Sequence, residues 1–211
     1  MDSAGKVIIS LGLALCLLIS LPAVDSDAGS PLVKGGKLPA FNLPIPKDAK
    51  EGSYLGLSGK GYFKIPQIRA QAVIVTILSL YCPVCQNTAS VVAELYRDIE
   101  NNPDLKDKMK LIGIGAGNTP HEVEVLKEQY HIPFPVFPDK DFEVHKALGN
   151  VRAPYFIAVK IDGDGSHEVV HTQLGGMIEA QPFLDALLEA YGFKQKDSPE
   201  KGKDLAVSLA H

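Results

Sequence analysis

The sequence has no excess of positive charge and no second long apolar run. Lysine and arginine number 21 against 25 aspartates and glutamates, which leaves a formal net charge of -4 at pH 7. Nucleic-acid binding relies on a basic surface and a multi-span membrane protein needs several apolar runs, so neither class is indicated. A composition of 45% hydrophobic and 22% charged residues over 211 positions is typical of one soluble globular domain with short appendages.

Cysteine is also scarce, because the chain holds only Cys16, Cys82 and Cys85. A scaffold of structural disulfides would carry more cysteines at wider spacing. Zinc would need two further ligands, and no second CxxC or paired histidine supplies them, so no metal site is predicted. The histidines at 121, 131, 145, 167 and 171 are scattered and are expected at the surface. In an oxidising compartment, a lone CxxC is typical of a redox pair.

The N-terminus has the order of a secretory signal. Lys6 precedes an uncharged apolar run over residues 7–21, and small residues follow up to Ala28. We expect a signal peptide over residues 1–28, cleaved after Ala28 or after Ser26, and a periplasmic location; the alternative is an uncleaved membrane anchor. Cys16 would leave with the signal. Residues 29–35 are predicted as a linker and residues 194–211 as a polar tail.

The two remaining cysteines lie where a buried strand meets a helix. Residues 72–80 are rich in β-branched side chains and almost wholly apolar, which predicts a strand buried on both faces. Residues 83–100 carry an apolar stripe at helical spacing that begins at Val84, and Pro83 suits the first helical turn. Cys82 therefore lies at a helix N-terminus, where free N–H groups and the helix dipole favour a thiolate. This arrangement predicts Cys82 as the nucleophile and the less exposed Cys85 as its resolving partner.

The remaining elements alternate in a way that is typical of an α/β fold. After the first strand and helix come a strand over 109–115, a helix capped by Thr119 and Glu122, an extended segment over 131–139 and a short helix over 141–148. A hairpin over 151–174 and a last helix close the domain. This order predicts a central mixed sheet flanked by helices. Before it, we expect a short strand over 37–44, turns or a hairpin over 47–61, and a strand or helical turn over 63–68.

This pattern resembles the thioredoxin fold over residues 36–193. Within that superfamily the chain is most similar to the exported TlpA-like thiol–disulfide oxidoreductases and to the redoxin group of AhpC/TSA type. The similar stretches are 38–41, 130–139 and 148–154. The resemblance implies that Pro154 follows a cis peptide bond beside the CxxC and that the backbone of Ala153 pairs with the substrate chain. Tyr81 and Pro83 complete the expected substrate-binding set, although Tyr81 could instead pack over the helix start.

Two departures from the resemblance bear on the reaction. Thr76 stands where thioredoxin has a buried aspartate, which disfavours fast, broad-range disulfide reduction. The dipeptide between the cysteines, Pro83-Val84, holds no histidine, so strong stabilisation of the Cys82 thiolate is not expected and a reductase is favoured over a strong oxidant. Tyr81 replaces the tryptophan that many relatives carry.

The expected activity is thiol–disulfide exchange that uses the two thiols and no cofactor. The substrates would be disulfides or thiols of exported proteins or small molecules, and a membrane-bound thiol donor or acceptor would reset the pair. No dimerisation domain is evident, which favours a monomer.

Two other functions stay open on the sequence. A peroxiredoxin-type thiol peroxidase would need a proline seven residues and a Ser or Thr three residues before its cysteine; Ser79 fits, whereas Val75 does not. A Sco-like copper-handling protein would need a CxxxC and a distant histidine, for which His145 is the candidate. The two-residue spacing of the CxxC argues against this second function.

Overall fold

The computed structural model describes residues 32–193. The predicted signal peptide, residues 29–31 of the predicted linker and the predicted tail lie outside this range, so those predictions stay untested. Within residues 32–193, no helix is both long enough and apolar enough to span a membrane.

A five-stranded mixed sheet forms the centre of the fold, as the sequence predicts. The strands are β3 (Ala72–Leu78), β4 (Met109–Ala116), β5 (Val136–Asp139), β6 (Tyr155–Ile161) and β7 (His167–Leu174). Their order in the sheet is β5-β4-β3-β6-β7. β3 pairs in parallel with β4, and β4 pairs in parallel with β5, whereas β6 is antiparallel to both β3 and β7.

Each face of the sheet is covered by its own apolar core. All seven residues of β3 are buried, and successive side chains alternate between the two faces. One core holds Ile74 and Leu78 with apolar residues from three helices; the other holds Val73 and Val75 with the N-terminal elements. The helices of the first core are α2 (Pro83–Asn101), α3 (Pro120–Gln129) and α5 (Ala180–Tyr191).

The N-terminal region differs from its prediction in one element. Residues 47–61, predicted as turns or a hairpin, contain the helix α1 (Ala49–Leu55), so that prediction is wrong. The Asp48 side chain accepts hydrogen bonds from the N–H groups of Lys50 and Glu51, and Gly56 ends the helix in a left-handed conformation. These caps outweigh the polar, glycine-rich composition of the segment.

Two short strands accompany α1, β1 (Leu43–Pro44) and β2 (Tyr62–Phe63), which pair antiparallel as a separate small sheet. The ambiguous segment over 63–68 contains both the end of β2 and a 3₁₀ helix, Ile65–Gln67. The extra N-terminal strands are therefore present, although they are shorter than predicted.

Most other elements follow their predictions. Thr119 and Glu122 form the predicted capping box at the start of α3. The short helix α4 covers Glu143–Ala147, and β6 and β7 form the predicted hairpin. α1 also protects the open edge of β4: the Tyr54 hydroxyl accepts a 2.7 Å hydrogen bond from Leu111 N, where β4 has no partner in β5.

Candidate active site

The site is built where β3 ends and α2 begins, with Cys82 as the N-cap residue of α2. Cys82 and Cys85 form a disulfide with a Cα–Cα distance of 5.2 Å. Cys82 is partly exposed, whereas Cys85 is only 6% exposed. Cys85 N donates to Cys82 Sγ at 3.1 Å. An N–H group directed at this sulfur at a helix N-terminus would stabilise a thiolate after reduction, which suits Cys82 as the attacking sulfur.

Ala153 and Pro154, two predicted substrate-binding residues that are distant from the CxxC in the sequence, lie beside this disulfide. The peptide bond between Ala153 and Pro154 is cis, as predicted. Ala153 O lies 3.4 Å from Cys82 Sγ, and Gly175 N donates to Pro154 O at 2.9 Å. The start of β6 and the loop after β7 are thus joined next to the CxxC.

The substrate-binding candidates inside the motif region are open to solvent. Pro83 is exposed, and Tyr81 is 66% exposed. Val84, which the helical pattern places on the buried stripe, is 49% exposed. The first turn of α2 therefore presents Val84 to solvent, and the buried stripe starts at Cys85.

A buried asparagine that the sequence reasoning missed holds the segment before Cys82. Asn118, which is fully buried, accepts a 2.9 Å hydrogen bond from Leu80 N through its Oδ1 and donates from Nδ2 to Ser79 Oγ at 3.3 Å. Gln86 Nε2 adds a 2.8 Å hydrogen bond to Leu80 O. The sequence pattern places Asn118 only at the opening of α3. Its position between a glycine-rich strand and a helix cap is the one local signal that could have drawn attention to it.

A small apolar cavity of about 20 Å³ lies behind Cys85. Among the described residues that line it, Thr88 alone brings a side-chain oxygen or nitrogen, and its hydroxyl donates to Val84 O at 2.7 Å. None of these lining residues carries a carboxylate, and such surroundings disfavour the charged form of the Cys85 thiol. The cavity is lined by Leu78, Cys85, Thr88, Ala89, Val92, Leu126, Ile132, Phe134 and Pro154. Thr76 is buried in β3 and, by alternation, points to the same face of the sheet as Leu78.

Tyr81, next to Cys82 in the chain, and Glu122 form a hydrogen-bonded pair. The Tyr81 hydroxyl donates a hydrogen bond to Glu122 Oε1. This bond, with a further one from Thr119 N, lowers the pKa of Glu122 to about 2, and the same contact raises the pKa of Tyr81. Glu122 is therefore a carboxylate at neutral pH.

The residues considered for a thiol peroxidase or a Sco-like copper protein are buried or hydrogen-bonded to other groups. Val75 is fully buried in β3, and Ser79 Oγ contacts Asn118 Nδ2 and Tyr81 N. His145 Nε2 lies 2.6 Å from Val151 O. Across residues 32–193, no three His, Cys, Asp or Glu side chains are grouped so that they could hold a metal ion.

The mixed sheet, its flanking helices and a cysteine pair at a strand–helix junction beside a cis-proline define a thioredoxin-like fold. Solved structures agree. The chain superposes on a Chlorobium tepidum protein assigned as a thiol:disulfide interchange protein DsbE with a TM-score of 0.56, 17% identity, and coverage of 76% of this chain and 99% of that one. The thioredoxin domain of a thiol-disulfide oxidoreductase from Bacteroides vulgatus gives a TM-score of 0.52 at 16% identity, covering 76% and 96%.

The chain belongs to the AhpC/TSA family, whose model matches residues 35–174. Among curated proteins it is similar to the thiol-disulfide oxidoreductase ResA of Bacillus thuringiensis, 26% identical over 166 residues that cover 78% of this chain and 90% of the relative. The ResA of Bacillus cereus is 24% identical over 163 residues, covering 77% and 90%. The protein is thus a redox enzyme of the thioredoxin fold, a thiol–disulfide oxidoreductase that is similar to ResA.

Proposed function

We propose that the protein is an exported thiol–disulfide oxidoreductase that reduces disulfides with Cys82 as the nucleophile and Cys85 as the resolving thiol. The observation that carries this proposal is the asymmetry of the pair. Cys82 is partly exposed at a helix N-terminus and receives the Cys85 N–H, whereas Cys85 is buried against an apolar cavity. An external disulfide can therefore reach the Cys82 sulfur, whereas the buried Cys85 sulfur is left to react with Cys82.

The reaction follows from this asymmetry. The Cys82 thiolate attacks one sulfur of the substrate disulfide, the substrate S–S bond breaks, and the other substrate sulfur leaves as a thiolate. The Cys85 thiol then gives up its proton to the first substrate thiolate, and its sulfur attacks Cys82 Sγ, which forms the enzyme disulfide and releases the second substrate sulfur as a thiolate. Two electrons pass from the enzyme to the substrate, and an external dithiol donor must return them. A membrane-bound donor fits an exported domain.

Exposed apolar side chains around the disulfide favour polypeptide substrates. Tyr81 and Val84 flank Cys82, and the backbone of Gly176 packs against Val84 and Thr88. Along the chain, Leu174 precedes Gly176 by two residues and Ile178 follows it by two residues; they are 55% and 93% exposed. An exposed apolar surface of this kind is typical of a site that binds another chain. We therefore favour disulfides of exported proteins over small polar disulfides.

Export is proposed from the signal-like pattern of residues 1–28. The periplasm would then be the working compartment, and an uncleaved signal would leave the domain anchored outside the cytoplasm. Sequencing the N-terminus of the protein recovered from an exporting host tests this, because cleavage predicts a start at Gly29 or Asp27. A start at Met1 in a protein that stays in the cytoplasm would contradict export.

Trapping experiments test the roles of the two cysteines. The Cys85→Ser variant, reduced and mixed with a disulfide-bonded peptide, is expected to accumulate a mixed disulfide at Cys82, because no resolving thiol remains. The Cys82→Ser variant is the matched control and is expected to trap at least tenfold less peptide, since its thiol is buried. The measurement is the mass of the adduct and its site by peptide mapping. Equal trapping by the two variants would contradict the assignment.

A further inference from the structure

Tyr81 is a large aromatic side chain that precedes the nucleophile and contributes to neither apolar core. It is 66% exposed, and an exposed tyrosine ordinarily exchanges between rotamers. Here its hydroxyl donates to Glu122 Oε1, 41 residues further along the chain. The ring is therefore held in one orientation beside Cys82 by a contact with another element.

Glu122 is itself well fixed at the start of α3. Its Oε2 accepts a 2.7 Å hydrogen bond from Thr119 N, and its own N–H donates to Thr119 Oγ1 at 3.3 Å. Both carboxylate oxygens are thus occupied, one by the helix cap and one by Tyr81. A glutamate is ionised at neutral pH, and these hydrogen bonds lower the pKa of Glu122 further, to about 2; a charged acceptor strengthens a hydrogen bond.

The same loop between β4 and α3 also fixes the main chain before Cys82. Asn118 bonds Leu80 N and Ser79 Oγ, and Tyr81 N lies 3.4 Å from Ser79 Oγ. Backbone and ring of the residue before the nucleophile are therefore both held from residues 118–122. A capping role for Glu122 would need only Thr119, so the additional contact with Tyr81 calls for a separate explanation.

We propose that Glu122 is a positioning residue that acts through Tyr81, holding its ring as a fixed wall of the polypeptide-binding surface next to Cys82. A side chain that is already fixed in the free protein loses less conformational entropy on substrate binding than one that becomes ordered only in the complex. The contribution should therefore appear in substrate affinity. This inference rests on the proposed function, since it deepens the account of the same site.

The test measures the reduction of a synthetic peptide with an intramolecular disulfide flanked by apolar residues. Tyr81→Phe keeps the ring and removes the hydroxyl, and Glu122→Gln removes the charge while an amide oxygen can still cap Thr119 N. Each variant is expected to raise KM for the peptide about two- to fivefold with a smaller effect on kcat. The double variant should match Tyr81→Phe alone, because Glu122→Gln weakens the same contact that the loss of the Tyr81 hydroxyl removes.

Asp48→Ala serves as the structural control, because it removes the side chain that caps α1 and that makes its hydrogen bonds to Lys50 N and Glu51 N, not to Tyr81 or Glu122. It is expected to lower stability while KM stays at the wild-type value. An unchanged KM in Tyr81→Phe, or additive effects in the double variant, would overturn the inference. If wild-type protein fails to reduce the peptide at all, the proposed function fails instead, so the two failures are distinguishable.

Discussion

Pro83 and Val84, the two residues between Cys82 and Cys85, are both exposed, and their chemistry bears on how oxidising the pair is expected to be. Val84 is 49% exposed, follows Pro83 and brings no charge to the N-terminus of α2. After reduction, a Cys82 thiolate would have the helix end and Cys85 N beside it and no cationic neighbour inside the motif. A dithiol whose thiolate has only moderate stabilisation is a better reductant than one whose thiolate is strongly stabilised.

Replacing Val84 with histidine tests this residue-level explanation. Because the side chain is largely in solvent, Val84→His should fold normally, and an imidazolium beside Cys82 should stabilise the reduced form. The reduction potential is expected to rise by about 30 mV or more, which corresponds to roughly tenfold in the equilibrium constant. Val84→Asn is the uncharged control, and the potentials are measured in graded thiol/disulfide buffers. An equal rise in the asparagine variant would contradict the explanation.

At the scale of elements, the loop between β7 and α5 approaches α2 more closely than a side chain allows. A Cβ at Gly176 would lie 2.4 Å from Thr88 Oγ1 and 3.4 Å from Val84 Cγ1. Its neighbour Gly175 bonds Pro154 O, so the loop links α2 to the cis-proline. Because residue 176 has no side chain, the loop can pack against α2 while Gly175 bonds the cis-proline.

Gly176→Ala is expected to destabilise the oxidised protein by about 1–3 kcal/mol, because the methyl group overlaps a buried hydroxyl. Thr88→Ala removes that hydroxyl, so adding Gly176→Ala to a Thr88→Ala background should cost much less. Gly163→Ala is the matched control, since a methyl group there would have no atom of residues 32–193 within 4 Å beyond its chain neighbours. Denaturant unfolding gives the free energies. A full loss that persists in the Thr88→Ala background would show that another contact is responsible.

The elements that sequence reasoning predicts well are the ones with a strong local pattern. The seven buried residues of β3 are apolar except for Thr76, and the capping box of α3 is readable from Thr119 and Glu122 alone. α1 escapes prediction because Gly52 lies inside a polar, glycine-rich stretch, although Asp48 and Gly56 are ordinary cap residues. The composition of the segment therefore hides the cap signals from a reading of the sequence, although the caps prevail in the fold.

The candidate site divides in the same way. Cys82, Cys85 and Pro154 are recognisable from motif and resemblance. Asn118 is not, because its role depends on a hydrogen bond to Leu80, 38 positions earlier, which no local pattern indicates. The contact between Tyr81 and Glu122 is not predicted for the same reason. The sequence shows that Glu122 caps α3, but it does not show that Tyr81 lies next to Glu122 in the fold.

At the scale of the whole molecule, the α/β prediction holds because strands and helices alternate along the chain and right-handed crossovers leave few arrangements. The two cores then follow from β3, which is buried on both faces. The AhpC/TSA match ends at residue 174, yet α5 beyond it contributes Phe183, Leu184 and Leu187 to the core that contains Cys85. The structural unit therefore extends past the matched region to the end of α5.

The equilibrium reduction potential of the Cys82–Cys85 pair tests the central claim most directly. It is measured on signal-free protein in graded thiol/disulfide buffers, with the thiol state read by alkylation and mass. We expect reversible titration near the thioredoxin value of about −270 mV, as for a reductase that needs an external electron donor. A value near about −120 mV would mark an oxidant and contradict the proposed direction, and a pair that does not titrate reversibly would contradict the redox function itself.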